Sequence, residues 1–378
     1  MFIQSNLAAR VDAVVDDALA EKRLVGAVVL IARDGALAYR RAAGLADREE
    51  GRAMREDDVF RLASVTKPFV AAAAMRLVEQ GAIALDDPAT RYFPDFRPRL
   101  ASGEAPPLSI HRLLTHTAGL DYAFHQGADG PYHRLGVSDG LDQPGLSIEQ
   151  NLRRLAAAPL LFAPGAAWRY SLAMDVLGAI LAKASGQALP DLARRLVLDP
   201  LGLSDSGFAV PHGARLVTPY RDGAPEPIRM GEECLVAMRE GVARFAPGRA
   251  LDPASYPSGG GGMVGSAPDV LRFLEAIRAG GAPILSRATV ERMTADQVGA
   301  QAETQGPGWG FGYGWAVLVD PAAAATPQSK GTLQWGGVYG HSWFVDPARA
   351  LTVVALTNTA IEGMAGAFVT QLRDAVYG

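Results

Sequence analysis

The chain has one cysteine, four lysines and six histidines in 378 residues, and each scarcity closes off a class of function. A lone thiol, Cys234, cannot form a disulfide within the chain, so a disulfide-stapled framework is excluded. The histidines at 111, 116, 125, 133, 212 and 341 have neither H-x-H nor H-E-x-x-H spacing, and no metal site is expected from them. Basic residues do not outnumber acidic ones (36 against 40, net -4) and the arginines are dispersed, which argues against a nucleic-acid partner. No apolar run reaches the roughly 18 residues that a membrane span needs. The opening Met1-Phe2-Ile3-Gln4-Ser5-Asn6 runs into Arg10, Asp12 and Asp16, too polar for a secretory leader. The expectation is a globular, cytoplasmic protein without a cofactor. Oligomeric state has no signature in the pattern.

The apolar residues that are present outline a fold. Positions 7, 11, 14, 15, 18 and 19 form a helical stripe. Gly26 to Ala32 is a short β-branched run, and Asp34-Gly35 before Leu37-Ala38-Tyr39 marks a hairpin. A helix is predicted from Lys67 to about Gln80, with Pro68 in the first turn where its missing N–H does no harm. Further helices are predicted over Ser147–Ala157, Ala173–Ala184 (stopped by Gly186) and Ser266–Gly280, the last opened by a Ser266 cap with Asp269 three residues on.

Beyond residue 300 the period changes. Gly308 to Trp315 alternates glycine with aromatics and reads as a strand, with one bare face for close backbone approach. Gln334–Tyr339, Ser342–Val345 and Leu351–Thr357 read as further strands, and apolar positions 361, 364, 365, 368, 372 and 376 as a closing helix. The prediction is an α/β (α+β) fold with one antiparallel sheet built from both termini and flanked by helices. Residues 1–66 and 300–378 would form that unit, 67–299 a mostly helical one, with the active site in the cleft between them.

Chemistry concentrates at Ser64-Val65-Thr66-Lys67, at the mouth of the Lys67–Gln80 helix. A serine and a lysine three apart share one helix face, so an amine can take the serine's proton without a histidine. Lys67 can do so only when neutral, and a second titratable group would help. Tyr170 offers one, placed just before a helix that Ser171 can cap. The phenol and the amine would then exchange protons as a coupled pair. Structural roles compete: Ser64 as a plain helix cap with Lys67 solvated, Tyr170 and Trp335 as core aromatics, His341 as a packing histidine. Two motif matches lack their context. Gly136-Val137-Ser138-Asp139-Gly140 fits G-x-S-x-G but lies in a loop, and Gly260 to Gly265 fits G-x-G-x-x-G without a strand before it.

Three motifs in order carry a resemblance: Ser64-x-x-Lys67, Tyr170-Ser171-Leu172, and Trp335-Gly336-Gly337. With Leu113 to Leu120 (LLTHTAGL) and Trp335 to Trp343 (WGGVYGHSW), the chain resembles the family VIII carboxylesterases over nearly its whole length. Those esterases belong with the class C β-lactamases and the penicillin-binding DD-peptidases. The resemblance implies Ser64 as nucleophile and Lys67 and Tyr170 as the acid/base pair. It also implies Trp335 beside the acyl site and an oxyanion hole from the N–H groups of Ser64 and Val338. Gly336 and Gly337 would let the substrate approach the strand, and the loop around Tyr122 would set the pocket width. Class C β-lactamases carry asparagine where Leu172 stands and lysine where Trp335 stands. Without that amide and that cation, small neutral, short-chain esters are favoured over penicillins. Weak β-lactam or cephalosporin-ester cleavage stays open, as do an acyltransferase or amide hydrolase and a non-catalytic binding module.

Overall fold

The computed structural model describes residues 2–210, 215–238 and 240–378; His212 lies outside them. Helix α1 (Phe2–Ala20) leads into β1 (Gly26–Arg33) and β2 (Ala36–Asp47). These strands turn at Asp34 and Gly35, with φ of +54° and +81°, the paired left-handed conformation that matches strand twist in a two-residue hairpin. A short β3 (Arg52–Ala53) follows. The other strands come from the far end of the chain: β4 (Trp309–Phe311), β5 (Ala316–Leu318), β6 (Leu333–Gly337), β7 (His341–Asp346) and β8 (Leu351–Thr357). They assemble in the order β4-β5-β6-β7-β8-β1-β2-β3, antiparallel throughout. β1 pairs with β8, Val28 opposite Leu356, so the two ends of the chain meet at mid-sheet.

The sheet is covered on both faces, which explains why β1 is apolar throughout rather than alternating. Ala27, Val29 and Ile31 pack against Val11 and Val15 of α1 and Phe368 and Leu372 of the final helix α6 (Ala367–Tyr377). Val28 and Leu30 face the opposite way, into the main core. That core holds α2 (Thr66–Glu79), α3 (Ile148–Ala157), α4 (Ala173–Ser185) and α5 (Ala267–Arg278). Helix α2 is buried without interruption from Thr66 to Met75, with Phe69 stacked 4.1 Å from Phe273 of α5. Its four consecutive alanines suit a helix enclosed on all sides. Lys67 is carried inside with it.

Several expectations hold locally. Ser147 caps α3 in a capping box with Gln150, and Gly186 ends α4 at φ +67°. Others give way to tertiary partners. Ser171 does not cap α4: Leu172 occupies the N-cap, and the Ser171 hydroxyl goes to His116. Ser266 makes no cap bond, and Asp269 instead accepts the Asp205 N–H at 2.9 Å. The Gly308–Trp315 run is not one strand. Gly312 N–H bonds the Trp315 carbonyl, and the run turns there from β4 towards β5. The closing helix is two pieces, Glu362–Ala365 and α6, parted at Gly366. Among the described residues no helix is long and apolar enough to cross a membrane.

Candidate active site

Ser64 sits where three elements meet. Phe60 and Arg61 pair with Val264 and Gly265, and the chain then enters a tight turn, Ala63–Val65, that runs straight into α2. Ala63 is held at φ +45°, a left-handed conformation costing a non-glycine residue on the order of 1–3 kcal/mol. The end of β6 comes hard against this turn. A Cβ at Gly337 would lie 2.3 Å from the Leu62 carbonyl oxygen, so glycine is needed there for strand and turn to meet. That closeness differs from the expected role for this glycine, room for a substrate.

Three predicted residues converge. Lys67 Nζ lies 3.0 Å from Ser64 Oγ, and the Tyr170 hydroxyl lies 2.6 Å from the same oxygen. Lys67 also donates to the Gly260 carbonyl at 2.7 Å, and its side-chain nitrogen stands 4.5 Å from the centre of the Tyr170 ring. The lysine side chain has no exposed surface, whereas Ser64 and Tyr170 are partly open. The glycine-rich run that mimicked a dinucleotide motif therefore serves the site differently, by turning a carbonyl towards Lys67.

Tyr170 is clamped from behind. His116 accepts the Ser171 N–H on Nδ1 at 3.2 Å, and its own carbonyl accepts the Arg169 N–H at 3.0 Å. Burial, followed by the nearby Lys67 charge, keeps the His116 pKa well below its ordinary value, so its ring is neutral. Arg169 pairs with Asp121 at 2.9 Å. Burial pushes Asp121 up, but hydrogen bonds from His125, Gln126 and Arg169 outweigh it and hold the carboxylate below its usual range. Asp175, in the first turn of α4, is buried with neither oxygen in a hydrogen bond of good geometry. Burial raises it to about 6, against the pull of Ser258, Lys67 and Arg249. Composition and spacing gave no sign of this shell. Its one visible trace was the LLTHTAGL segment that contains His116.

The cavity in front of Ser64 has a volume of about 530 Å³. Tyr170, Tyr122, Trp335, Gly336 and Val338 line it. Tyr122 and Trp335 lie 5.0 and 5.1 Å from the Tyr170 ring, centre to centre. Burial, then the neighbouring Tyr170 and Asp175, holds the Tyr122 hydroxyl well above the ordinary phenol range. Leu172 and Gly337 are buried beside the site and do not line the cavity. His341 is likewise buried and directs Nε2 to the Arg61 carbonyl at 2.8 Å. Ser138 has no exposed surface and donates to Asp142 at 2.5 Å.

Known proteins share this architecture. The family profile described as Beta-lactamase matches residues 11–376. Esterase EstB of Burkholderia gladioli is 59% identical over 376 residues, 99% of this chain and 96% of that protein. The solved structure of EstCE1, a hydrolase with promiscuous acyltransferase activity, superposes with a TM-score of 0.98 at 52% identity, each chain fully covered. Simvastatin synthase LovD from Aspergillus terreus shares the fold alone, with a TM-score of 0.75 at 21% identity and 97% of each chain covered. The profile match along nearly the whole chain and the extensive identity to EstB place this protein in the beta-lactamase family.

Proposed function

We propose that the protein is a serine carboxylesterase that hydrolyses neutral carboxylic esters through an acyl-enzyme on Ser64. One observation carries the reading: Ser64 Oγ lies within hydrogen-bond reach of both an amine and a phenol, at 3.0 and 2.6 Å, and opens onto a cavity. Ser64 attacks the ester carbonyl while its proton passes to the coupled Lys67/Tyr170 pair, both members of which reach its oxygen directly. The carbonyl oxygen gathers negative charge between the N–H groups of Ser64 and Val338. Tyr170 returns a proton to the departing alkoxide, and water repeats the sequence in reverse to release the acid. The cavity wall around Trp335, with tyrosines and no lysine at that position, suits uncharged substrates over carboxylate-bearing β-lactams.

The reading extends to the architecture. Residues 1–66 with 300–378 form one unit, 67–299 the other, and the site lies in the cleft between them. A cytoplasmic location belongs to the same proposal, and cell fractionation tests it. Ser64→Ala should abolish hydrolysis of p-nitrophenyl butyrate without lowering the unfolding midpoint; retained turnover would refute the assignment.

A second reading, acyl transfer, draws on EstCE1 and on the aromatic cavity wall, against which an alcohol acceptor can pack. Added alcohol decides it. If a dilute alcohol captures most of the acyl group, transfer is the dominant reaction; if free acid still predominates, hydrolysis is.

A further inference from the structure

The cavity at Ser64 does not stop at the catalytic side chains. Its volume of about 530 Å³ falls in the range of pockets that enclose drug-sized ligands, far beyond what a short-chain ester fills. The excess has a definite location. β5 pairs with β6 only at Leu333 and Gln334, so the edge of β6 from Trp335 to Gly337 has no neighbouring strand. Successive residues of a strand point to opposite faces. The cavity is nevertheless lined by Trp335 and by both Gln334 and Gly336, so it passes over that open edge from one face of the sheet to the other.

On the far face it becomes a groove between β6–β8 and the carboxy-terminal helices. Phe344 and Val353 form its floor, and Met364, Val369 and Leu372 its wall. Gly336 makes the neck. A Cβ there would stand 3.1 Å from Met364 Cγ and 2.5 Å from the His341 carbonyl oxygen. The groove's cation, Arg373, is already bonded to Asp374 at 2.7 Å, which leaves an uncharged tail as the better guest.

The direction of entry follows from the chemistry. The carbonyl oxygen belongs at the Val338 end of β6. The departing oxygen belongs beside Tyr170, whose ring lies against Trp335, and from Trp335 the cavity continues past Gln334 and Gly336. We propose that the groove between β6–β8 and the carboxy-terminal helices binds the alcohol moiety of the ester, and that this moiety carries an extended aliphatic chain. The inference rests on the esterase reading for its orientation, and its test separates the two.

Butyrate esters of straight-chain alcohols from ethyl to dodecyl hold the acyl group constant. Specificity (kcat/KM) should rise by about two- to four-fold per methylene until the groove is full, as burial of each CH₂ allows. Val369→Trp, which plugs the wall, should flatten the series while hydrolysis of ethyl butyrate, whose alcohol is too short to reach the groove, is kept. Ala365→Trp, at an exposed position on the same wall, gives the same readout should Val369→Trp fold poorly. A flat series in the unaltered enzyme overturns the proposal. Binding is read independently of turnover by titrating 1-decanol into Ser64→Ala in a calorimeter. Saturable heat that Val369→Trp or Ala365→Trp removes supports the groove even in a chain that hydrolyses no ester. Its absence rejects the groove while leaving the esterase reading intact.

Discussion

Two serine motifs in this chain have opposite surroundings. Ser138 satisfies a hydrolase pattern letter by letter, yet its hydroxyl is spent on the Asp142 carboxylate and it has no opening to a cavity. Ser64 has a lysine nitrogen and a tyrosine oxygen on its own hydroxyl and a cavity before it. A carboxylate hydrogen-bonded to a serine anchors it; a paired amine and phenol can take its proton and give it back. The difference lies in what reaches the oxygen from distant parts of the chain, and a motif does not contain that.

The largest test of the comparison removes the groups around Ser64. Lys67→Ala and Tyr170→Phe should each lower kcat for p-nitrophenyl butyrate by about 100- to 10,000-fold, the usual reach of positioned acid/base groups. Near-normal turnover in either variant would put Ser64 on the same footing as Ser138.

An intermediate effect is on stability against pH. His341 is held at about 4 by burial, with bonds to the Arg61 and Gly340 backbone working the other way. As pH falls from about 6.5 to 4 the unfolded chain takes up a proton that folded His341 refuses, so stability drops by on the order of 3 kcal/mol. Asp175, raised to about 6, acts in the opposite sense, since the folded state takes up its proton first. Asp175→Asn should therefore steepen the acid-side loss in urea unfolding followed between pH 7 and 4. An unchanged slope would mean that this buried acid does not titrate as its surroundings dictate.

The smallest expected effect falls on the other serine. Ser138→Ala should leave kcat/KM within about two-fold while costing about 1–3 kcal/mol of stability, the toll of breaking a buried bond to a charged group. A large loss of activity with stability intact would reverse the ranking of the two motifs.

How much of this was legible in the sequence depended on distance along the chain. The Ser64–Lys67 relation is local to one helical turn, and the Asp34-Gly35 hairpin is local to two residues, so both follow from spacing. Tyr170, 106 positions from Ser64, had no spacing to tie it to the serine; its place before a helix made it a candidate, and family resemblance gave it the role. The shell behind it was invisible for the same reason. His116 reaches Ser171 across 55 positions, and that contact is also why the expected Ser171 cap did not form. The Gly308–Trp315 run misled because alternation marks a strand equally well on either side of a turn. The bond from Gly312 to Trp315 that breaks it leaves no mark in composition.

The central claim is that the hydroxyl at position 64, and not the one at 138, is the nucleophile. A fluorophosphonate that labels activated serines tests it most directly, with the adduct located by peptide mass spectrometry. A single adduct on the peptide carrying Ser64, lost in Ser64→Ala and kept in Ser138→Ala, is the predicted result. An adduct on Ser138, or labelling that survives Ser64→Ala, would contradict it.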